Sequence, residues 1–271
     1  MNGALKQAQG TDFLPPFEIG TLENGQGYHM SFLQADNMPE ILALQDKVKA
    51  ELDAAGHASY IVPKSELSFV RKQHLQGRML GVFSESQLIA QLIVSMPNQA
   101  DDAGLVGMHV PHANTDMAVI ENVLVDSDFR GNKLMEKLVR QGFQVAKSFG
   151  RPHIYAEIDT ANIRSWKVFL DCGMDITHLG KDPSDGCALY YTYSNVGASL
   201  EYMGGAISVC PQTTSFEQQK KLISLGYQAH SWDAVAKQLV FQKTAAKSVQ
   251  KVTVPTPAVA AQLVKETRCK A

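Results

Sequence analysis

A strand, a turn and a helix at residues 121–141 constrain this sequence more than any other stretch. The residues ENVLVDSDFRGNKLMEKLVRQ complete an apolar run at 119–125, pass through a polar turn at 126–129, and bring Arg130 and Gly131 to the start of an amphipathic helix. Such a turn directs free backbone N–H groups and the positive end of a helix dipole at one point. The stretch therefore predicts a site for a phosphate or pyrophosphate group.

The composition is that of an ordinary globular protein. The 271 residues carry a net charge of -2, and 45% of them are hydrophobic, which is sufficient for one filled core and a smaller additional unit. A near-neutral charge disfavours nucleic acid and membrane surfaces as partners. No apolar stretch approaches the ~20 residues that span a bilayer, and no signal peptide is recognised.

The cysteines and histidines do not predict a metal site. The sequence has no C-x-x-C pair, which disfavours zinc and dithiol chemistry and predicts reduced thiols in a cytoplasmic protein. His109 and His112 are three residues apart, but no third ligand is near, so we interpret them as loop histidines. The four cysteines are Cys172, Cys187, Cys210 and Cys269.

The first half of the chain predicts a short strand, two helices and a hairpin, preceded by an arm with little regular structure. The first helix is capped by Asp36 or Asn37 and has Pro39 in its first turn. The predicted segments are the arm at 1–26, the strand at 28–33, the helix that buries Ile41, Leu44, Val48 and Leu52, the helix at 65–76, hairpin strands at 78–83 and 88–95, and a loop or insertion at 97–116.

The second half continues this alternation. After the helix that follows residue 130 and ends at Gly150, we predict a strand at 153–158, a helix that opens at 160–162 and ends at Gly173, and a strand at 187–193. The resulting order, β-α-α-β-β-β-α-β-α-β, is typical of an α/β fold with a mixed sheet and helices on its faces.

Residues 196–245 predict an additional strand, helix and strand, at 206–210, 216–225 and 238–242. The helix resembles the one that ends at Gly173, which is consistent either with a partial duplication or with two similar amphipathic helices. Residues 246–271 predict a flexible basic tail. We therefore divide the chain into an arm (1–26), a main domain (27–195), a C-terminal extension (196–245) and a tail, and an added strand could pair across a homodimer.

With these segments in place, the sequence resembles the GNAT superfamily of acyl-CoA-dependent N-acetyltransferases over about residues 28–193. One family signature is an apolar strand and turn followed by Arg/Gln-x-x-Gly-x-Gly/Ala, and the matching stretch lies at 121–135. The other is Asn-x-x-Ala/Ser-x-x-x-Tyr-x-x-x-Gly-Phe, and its counterpart runs from Asn162 to Met174. The two signatures follow in order with room for a helix and a strand between them, which makes the pair specific.

The resemblance implies a GNAT-like fold that uses acetyl-CoA as co-substrate and no metal. It also implies that the strand before the turn splays from its neighbour, binds the pantetheine arm and polarises the thioester carbonyl. The implied pantetheine residues are Val123, Leu124 and Val125. The implied pyrophosphate residues are Arg130, Gly131, Asn132, Lys133, Leu134 and Met135, and on the next helix Asn162 and Ser165 contact CoA. Asn162 is alternatively a plain helix cap.

Two positions depart from the family pattern. Lys133 and Met135 stand where small residues are usual, and we expect Lys133 to adopt a right-handed helical turn that tolerates binding. Phe169 stands where a tyrosine often protonates the departing thiolate, and phenylalanine cannot donate a proton. The proton then comes from Tyr190, Tyr191, Tyr193 or water, or the thiolate leaves unassisted.

Glu121 is the candidate catalytic base, because family members often carry an acidic residue on this strand. The alternative is that Glu121 faces solvent or pairs with a lysine. Four histidines are less favoured bases: His29, His57, His109 and His112. The predicted activity is acetyl transfer from acetyl-CoA to a primary amine of a small molecule or peptide, by direct attack in a ternary complex. The alternatives are a non-catalytic acyl-CoA-binding module and an enzyme that transfers a longer acyl chain.

Overall fold

The protein is built on one mixed sheet of eleven strands, with five helices packed against it in the part of the chain that is described. The computed structural model describes residues 18–74, 77–98, 111–183, 185–198 and 201–245. This architecture confirms the prediction of an α/β fold with a mixed sheet. The predicted basic tail at 246–271 and most of the arm lie outside the described residues.

The strands follow the order β1-β2-β3-β4-β5-β6-β8-β7-β10-β11-β9 across the sheet. All neighbours are antiparallel except β5 and β6, which are parallel. The strands are β1 (Glu18–Thr21), β2 (Gly27–Phe32), β3 (Gly77–Ser84), β4 (Gln87–Ser95), β5 (Met117–Val125), β6 (His153–Asp159), β7 (Asp175–Lys181), β8 (Ala188–Asn195), β9 (Glu201–Val209), β10 (Tyr227–Asp233) and β11 (Gln238–Ala245). The helices are α1 (Met38–Ala54), α2 (Glu66–His74), α3 (Leu134–Ser148), α4 (Ile163–Asp171) and α5 (Phe216–Ser224).

The central strand β5 contributes side chains to both faces of the sheet. Ile120 joins the large core that also buries Leu138 of α3. Leu124 joins a second core that buries Ile41 of α1. Because successive side chains of a strand point to opposite faces, Glu121 emerges on the face that α1 and α2 cover.

Three predictions of local structure need correction. Residues Glu18–Thr21 of the predicted arm form β1, which pairs with β2. Strand β7 was not predicted, because its sequence DITHLGK carries few apolar residues and no clear alternation. The extension is a strand, a helix and two strands, since β10 lies between α5 and β11.

The extension repeats the unit that precedes it. In the first unit, β6-α4-β7-β8, the strands lie side by side as β6-β8-β7, and in the second, β9-α5-β10-β11, they lie as β9-β11-β10. The two helices have nine residues each, β7 and β10 have seven, and β8 and β11 have eight. This agreement favours a duplication over two unrelated amphipathic helices.

The local signals of the two units also correspond. Asn162 and Ser215 occupy the N-caps of α4 and α5, and each side chain accepts a hydrogen bond from the backbone N–H three residues on. Gly173 and Gly226 follow the helices with φ of 89° and 86°, the left-handed conformation that glycine adopts without steric cost. The same stop and start signals therefore shape both units.

Candidate functional site

A β-bulge interrupts β5 directly after Glu121. Opposite Gln91 and Ile93 of β4 lie Leu124 and Glu121 of β5, so β5 carries one extra residue in this interval. Asn122 has φ of 51°, and its side-chain oxygen accepts a hydrogen bond of 2.8 Å from the Nε2 of Gln91. A bulge bends the strand and leaves a residue outside the ladder, so the backbone changes direction at the candidate site.

β5 then separates from its parallel neighbour β6. The two strands pair only at three positions, between residues 117–119 and 153–155, although β5 continues to Val125 and β6 to Asp159. The β6-facing edge of β5 beyond Val119 is therefore outside the ladder among the described pairs. The predicted pantetheine residues Val123, Leu124 and Val125 lie on this segment, with Leu124 buried and the two valines partly buried.

The turn that follows β5 is fixed by the buried carboxylate of Asp126. Its Oδ1 accepts hydrogen bonds from Lys47 Nζ at 2.6 Å and from the backbone N–H of Asp128 at 3.1 Å. Its Oδ2 accepts a hydrogen bond of 3.2 Å from Gln87 Nε2. The side chain of Asp126 thus ties the turn to α1 and to the hairpin.

Two residues of the loop before α3 adopt left-handed backbone conformations. Gly131 has φ of 92° and Lys133 has φ of 56°. The expectation of a right-handed turn at Lys133 is therefore wrong: this residue occupies a conformation that costs an L side chain ~1–2 kcal/mol. Leu134 begins α3 and is buried, and Met135 packs against the same core.

Asn132 is held by the turn between β1 and β2. Its Oδ1 accepts a hydrogen bond of 2.6 Å from the backbone N–H of Glu23, and its Nδ2 donates one of 2.9 Å to the carbonyl of Phe129. The Glu23 carboxylate lies beside the loop, since its Oε2 is 3.9 Å from the position that a Cβ on Gly131 would take. The loop is thus braced from a segment that the sequence did not connect with the site.

The side chain of Arg130 forms an ion pair with Glu51 of α1. Its guanidinium donates a hydrogen bond of 2.9 Å to Glu51 Oε2, and Ser127 Oγ donates one of 2.6 Å to the other oxygen of Glu51. The side chain of Arg130 is 42% exposed, so this pair is worth little. The guanidinium can therefore turn toward an anion at small cost.

The two residues predicted to contact CoA from α4, Asn162 and Ser165, hydrogen-bond to each other at the start of that helix. Asn162 Oδ1 accepts a hydrogen bond of 3.2 Å from the backbone N–H of Ser165, which is the geometry of an N-cap. The alternative interpretation of Asn162 as a helix cap is therefore realised. Capping leaves the amide nitrogen of Asn162 for another partner.

Glu121 pairs with two lysines. Its Oε2 lies 2.6 Å from Lys64 Nζ and its Oε1 lies 2.7 Å from Lys72 Nζ. Burial by itself would raise the pKa of Glu121, but the two cations together hold it below its ordinary value. The carboxylate is therefore ionised and only weakly basic, and the alternative expectation of a pair with a lysine is realised twice.

The other candidate bases and acids lie in contacts of their own. His29 stacks on Phe83 and His57 on Tyr60, while His109 is outside the described residues. His112 stacks on His153 with ring centroids 3.5 Å apart, and burial lowers the pKa values of both imidazoles. The hydrogen bonds of this group join His112 to Tyr155 and His153 to Tyr193.

Tyr155 and Tyr193 pack with Met117 and Val119 of β5, and their hydroxyls hydrogen-bond to His112 and His153. Phe169 is buried in the main core, and the Tyr190 hydroxyl donates a hydrogen bond to Gln219 of α5. Burial raises the pKa of both Tyr190 and Tyr191.

Neither a metal centre nor a membrane span is recognised within the described ranges. No group of three or more histidine, cysteine, aspartate or glutamate side chains in this part of the chain could hold a metal ion. None of its helices is long and apolar enough to cross a bilayer. Cys172, Cys187 and Cys210 are free thiols.

Sequence reasoning missed the residues that surround the predicted ones. Lys64, Lys72 and Glu23 lie in segments far from residues 121–141, and single charged residues of this kind carry no motif. The positive φ at Lys133 did have a signal, because the family's small residue at that position is one that left-handed backbone favours. Tertiary packing therefore brings Lys64, Lys72 and Glu23 next to the predicted site residues.

Together, the mixed sheet, the bulged central strand that parts from β6 and the loop at the start of α3 define an α/β protein with a strand-loop-helix unit at its centre. Residues 48–174 match the acetyltransferase (GNAT) family. This segment runs from within α1 to the residue before β7 and includes β5, the loop that follows it, α3 and α4. The match confirms the resemblance to the GNAT superfamily over this segment.

Solved structures of similar fold include several acetyltransferases. One is the ribosomal-protein-S18-alanine N-acetyltransferase from Escherichia coli, with 14% identity, 66% of this chain and 99% of that chain covered, and a TM-score of 0.49. The GNAT domain of PAT from S. lividans has 19% identity, coverage of 65% and 96%, and a TM-score of 0.48. The yncA protein of Salmonella typhimurium, solved with its cofactor acetyl-CoA, has 14% identity, coverage of 66% and 99%, and a TM-score of 0.49. No curated protein matches the sequence.

Proposed function

We propose that this chain transfers an acetyl group from acetyl-CoA to a primary amine of a small molecule or a peptide, by direct attack in a ternary complex. The observation that carries the proposal is the separation of β5 from β6 directly before the loop 130–134 at the start of α3. GNAT membership of this segment supports acetyl transfer as the reaction class.

The loop is suited to the pyrophosphate of CoA. Backbone N–H groups at the start of α3 and the dipole of this 15-residue helix favour an anion there. The backbone is open at Gly131, where among the described residues only Glu23 comes within 4 Å of the position that a Cβ would take, and this allows close approach. Arg130 and Lys133 add positive charge, and Asn162 and Ser165 at the start of α4 are the proposed CoA contacts from the next helix.

The edge of β5 that β6 leaves free is suited to the pantetheine arm and the thioester. Backbone groups of residues 123–125 hydrogen-bond the arm, and an N–H on this segment polarises the thioester carbonyl and stabilises the oxyanion. The amine attacks that carbonyl carbon, the C–S bond breaks, and CoA leaves as a thiolate. A thiol pKa of ~8.5 makes this departure feasible without a side-chain acid.

Glu121 receives the proton that the attacking ammonium loses. Because Lys64 and Lys72 lower the pKa of Glu121, the carboxylate is a poor base while both lysines are bound. An acceptor ammonium that takes the place of one lysine brings its own positive charge and gives its proton to Glu121 before it attacks. The lysines thus keep the carboxylate ionised and able to take up this proton.

Isothermal titration with acetyl-CoA tests the binding half of the proposal. Arg130→Glu places a negative charge at the loop, and Gly131→Pro cannot adopt a φ of 92°, so both should weaken binding at least ~10-fold, since a lost charged contact is worth ~1.5–3 kcal/mol. Arg140→Glu, on an exposed part of α3, is the matched charge-reversal control and should bind normally. Equal binding by all four proteins would overturn the proposed site.

The second candidate is a GNAT-like domain that binds acyl-CoA without catalysis. The double lysine pairing of Glu121 and the buried Phe169 favour it. Release of free thiol in the presence of a panel of amines separates the two functions. Turnover that is lost in Glu121→Gln supports the enzyme, whereas tight acetyl-CoA binding without turnover supports the binding module.

Three further expectations concern the length of the acyl chain, the location of the protein and its oligomeric state. A longer acyl chain would need space formed by residues 97–116, of which 99–110 lie outside the described residues, and competition between acyl-CoAs of different length tests it. A cytoplasmic location and a homodimer stay predictions. The exposed strand β9 is the edge on which such a dimer could pair.

A further inference from the structure

Lys64 presents a primary amine to the proposed base. Its Nζ lies 2.6 Å from Glu121 Oε2, and 19% of its side chain is exposed. The lysine side chain is itself a primary amine, the group on which the proposed reaction acts. Lys64 can therefore serve either as a counter-ion of Glu121 or as an acceptor.

The backbone of Lys64 is held by a buried side chain. Gln45 of α1 is 3% exposed, and its Oε1 accepts a hydrogen bond of 2.8 Å from the Lys64 N–H while its Nε2 donates one of 3.0 Å to the Lys64 carbonyl. A buried glutamine that satisfies both backbone groups of a residue outside the helices fixes where that residue's side chain starts. The two hydrogen bonds from Gln45 therefore hold the backbone of Lys64 in one position relative to α1.

Unlike Lys64, Lys72 lies on a helix and has a second side-chain partner. It belongs to α2, and besides Glu121 its Nζ contacts the hydroxyl of Ser95, which is buried. One lysine is sufficient to neutralise Glu121, so with two the cluster carries one positive charge in excess. Lys72 can keep the carboxylate in place while Lys64 leaves it.

We propose that Lys64 is an internal acceptor, and that the chain acetylates its own Lys64 from acetyl-CoA bound in the same cleft. This inference rests on the proposed acetyl-transfer function and names one amine on which it acts. The modified chain carries Nε-acetyl-Lys64.

The step balances with the groups present. The Lys64 ammonium gives a proton to Glu121, and the neutral amine attacks the thioester carbonyl carbon. A C–N bond forms, the C–S bond breaks, and the second proton of the amine leaves with the CoA thiolate to give free CoA thiol. No oxidant, reductant or metal is needed.

Acetylation changes the charge around the base. An amide nitrogen is neutral, so Glu121 keeps only Lys72 as a cation partner, and the pKa of Glu121 rises toward its ordinary value. A stronger base then serves the next acceptor. Self-acetylation thus strengthens the base for later acceptors, and external turnover should show a lag that pre-incubation with acetyl-CoA removes.

Mass spectrometry of the full chain after incubation with acetyl-CoA tests the proposal. We expect one added acetyl group, mapped by peptide analysis to Lys64, at a rate per molecule that does not change with protein concentration. Lys64→Arg keeps the positive charge and should abolish this product. Lys49, which pairs with Asp53 on the exposed side of α1, reports on non-enzymatic acetylation, and Lys64 should react at least tenfold faster.

The outcomes separate the inference from the function on which it rests. If the protein acetylates an external amine while Lys64 stays unmodified, self-acetylation is wrong and the proposed function stands. Equal reaction of Lys64 and Lys49, or a rate proportional to protein concentration, also overturns an internal transfer. If the protein binds acetyl-CoA and acetylates neither Lys64 nor any external amine, the transfer function fails as well.

Discussion

Ile176 and Ala229 face each other across the antiparallel strands β7 and β10, and they occupy the same position in two successive copies of one strand-helix-strand-strand unit. Each lies three residues beyond the glycine that ends its helix, Gly173 or Gly226. Equivalent residues that pair with each other imply a local two-fold relation between the units. The extension thus covers the edge strand β7 with its own counterpart.

The contact between the two tryptophans shows how the units share a core. Trp166 of α4 is fully buried, and its ring meets the ring of Trp232 of β10 edge-on at 5.2 Å. We expect Trp232→Ala to lower the free energy of unfolding of the whole chain by about 2–3 kcal/mol, since Trp232 is partly exposed and large-to-small changes in cores cost ~3–5 kcal/mol. Urea unfolding followed by circular dichroism measures this change.

Val235→Ala is the control for the preceding substitution, because Val235 is 95% exposed and its truncation should be nearly neutral. A single cooperative transition that shifts in Trp232→Ala and not in Val235→Ala is the expected result. Two separate transitions, with only one of them sensitive to Trp232, would show that the extension folds independently of the GNAT domain.

The sequence predicted the elements whose patterns are local. β5 is a run of apolar residues, α1 has an apolar stripe and a proline in its first turn, and the hairpin β3-β4 has a polar turn between two apolar runs. β7 escaped prediction because its burial comes from β8 and β10 on either side rather than from its own pattern. Its status as a strand is decided by tertiary pairing.

The same distinction applies to the site. Glu121 was predicted from its strand, but its partners Lys64 and Lys72 come from a loop and a helix 57 and 49 residues earlier in the chain. No spacing rule connects charges over such distances. The chemistry of the carboxylate therefore depends on how α2 packs against β3 and β4 and brings Lys72 to Glu121, which only the structure gives.

Lys133 is a strained position at the entrance of α3. Because its φ of 56° is left-handed, Lys133→Gly should raise the free energy of unfolding by about 1 kcal/mol. Lys147→Gly, in the right-handed last turn of the same helix, removes the same side chain and should instead lower it by about 0.5–1 kcal/mol. Thermal unfolding of the two variants against wild type checks the opposite signs, and a loss of stability in both would contradict the assigned strain.

Glu23 places a negative charge beside the proposed pyrophosphate loop. Its Oε2 is 3.9 Å from the Cβ position of Gly131, so Glu23→Gln should tighten acetyl-CoA binding by about two- to fivefold at low salt, in line with an exposed charge interaction of ~1 kcal/mol or less. The gain should fade at ~1 M salt, where the Debye length is ~3 Å. Glu40→Gln removes an exposed carboxylate on α1 and should leave the titration unchanged.

Asp175 couples the stability of the joint between the units to pH. Its side chain is buried, Oδ1 accepts a hydrogen bond of 2.8 Å from the Tyr202 hydroxyl, and Oδ2 is buried without a hydrogen-bond partner among the described residues. Burial raises the pKa of Asp175 to about 6, although the Tyr202 bond opposes the shift. The folded chain thus holds the proton more tightly than the unfolded chain, in which the pKa is ~3.9.

The sign of the pH dependence follows from this difference. Where the folded state binds more protons, the free energy of unfolding falls as pH rises. Ionisation of Asp175 should therefore not destabilise the folded chain below pH ~4, and should lower its free energy of unfolding by about 2–3 kcal/mol above pH 6, at 1.36 kcal/mol for each pKa unit. Asp175→Asn still accepts the Tyr202 hydroxyl but never ionises. We expect it to be more stable than wild type at pH 8 and equal to it near pH 4 in urea unfolding, while Asp171→Asn, an exposed change, is neutral at both. A variant that is less stable at pH 8 would show that the Asp175 carboxylate is stabilised in the folded state after all.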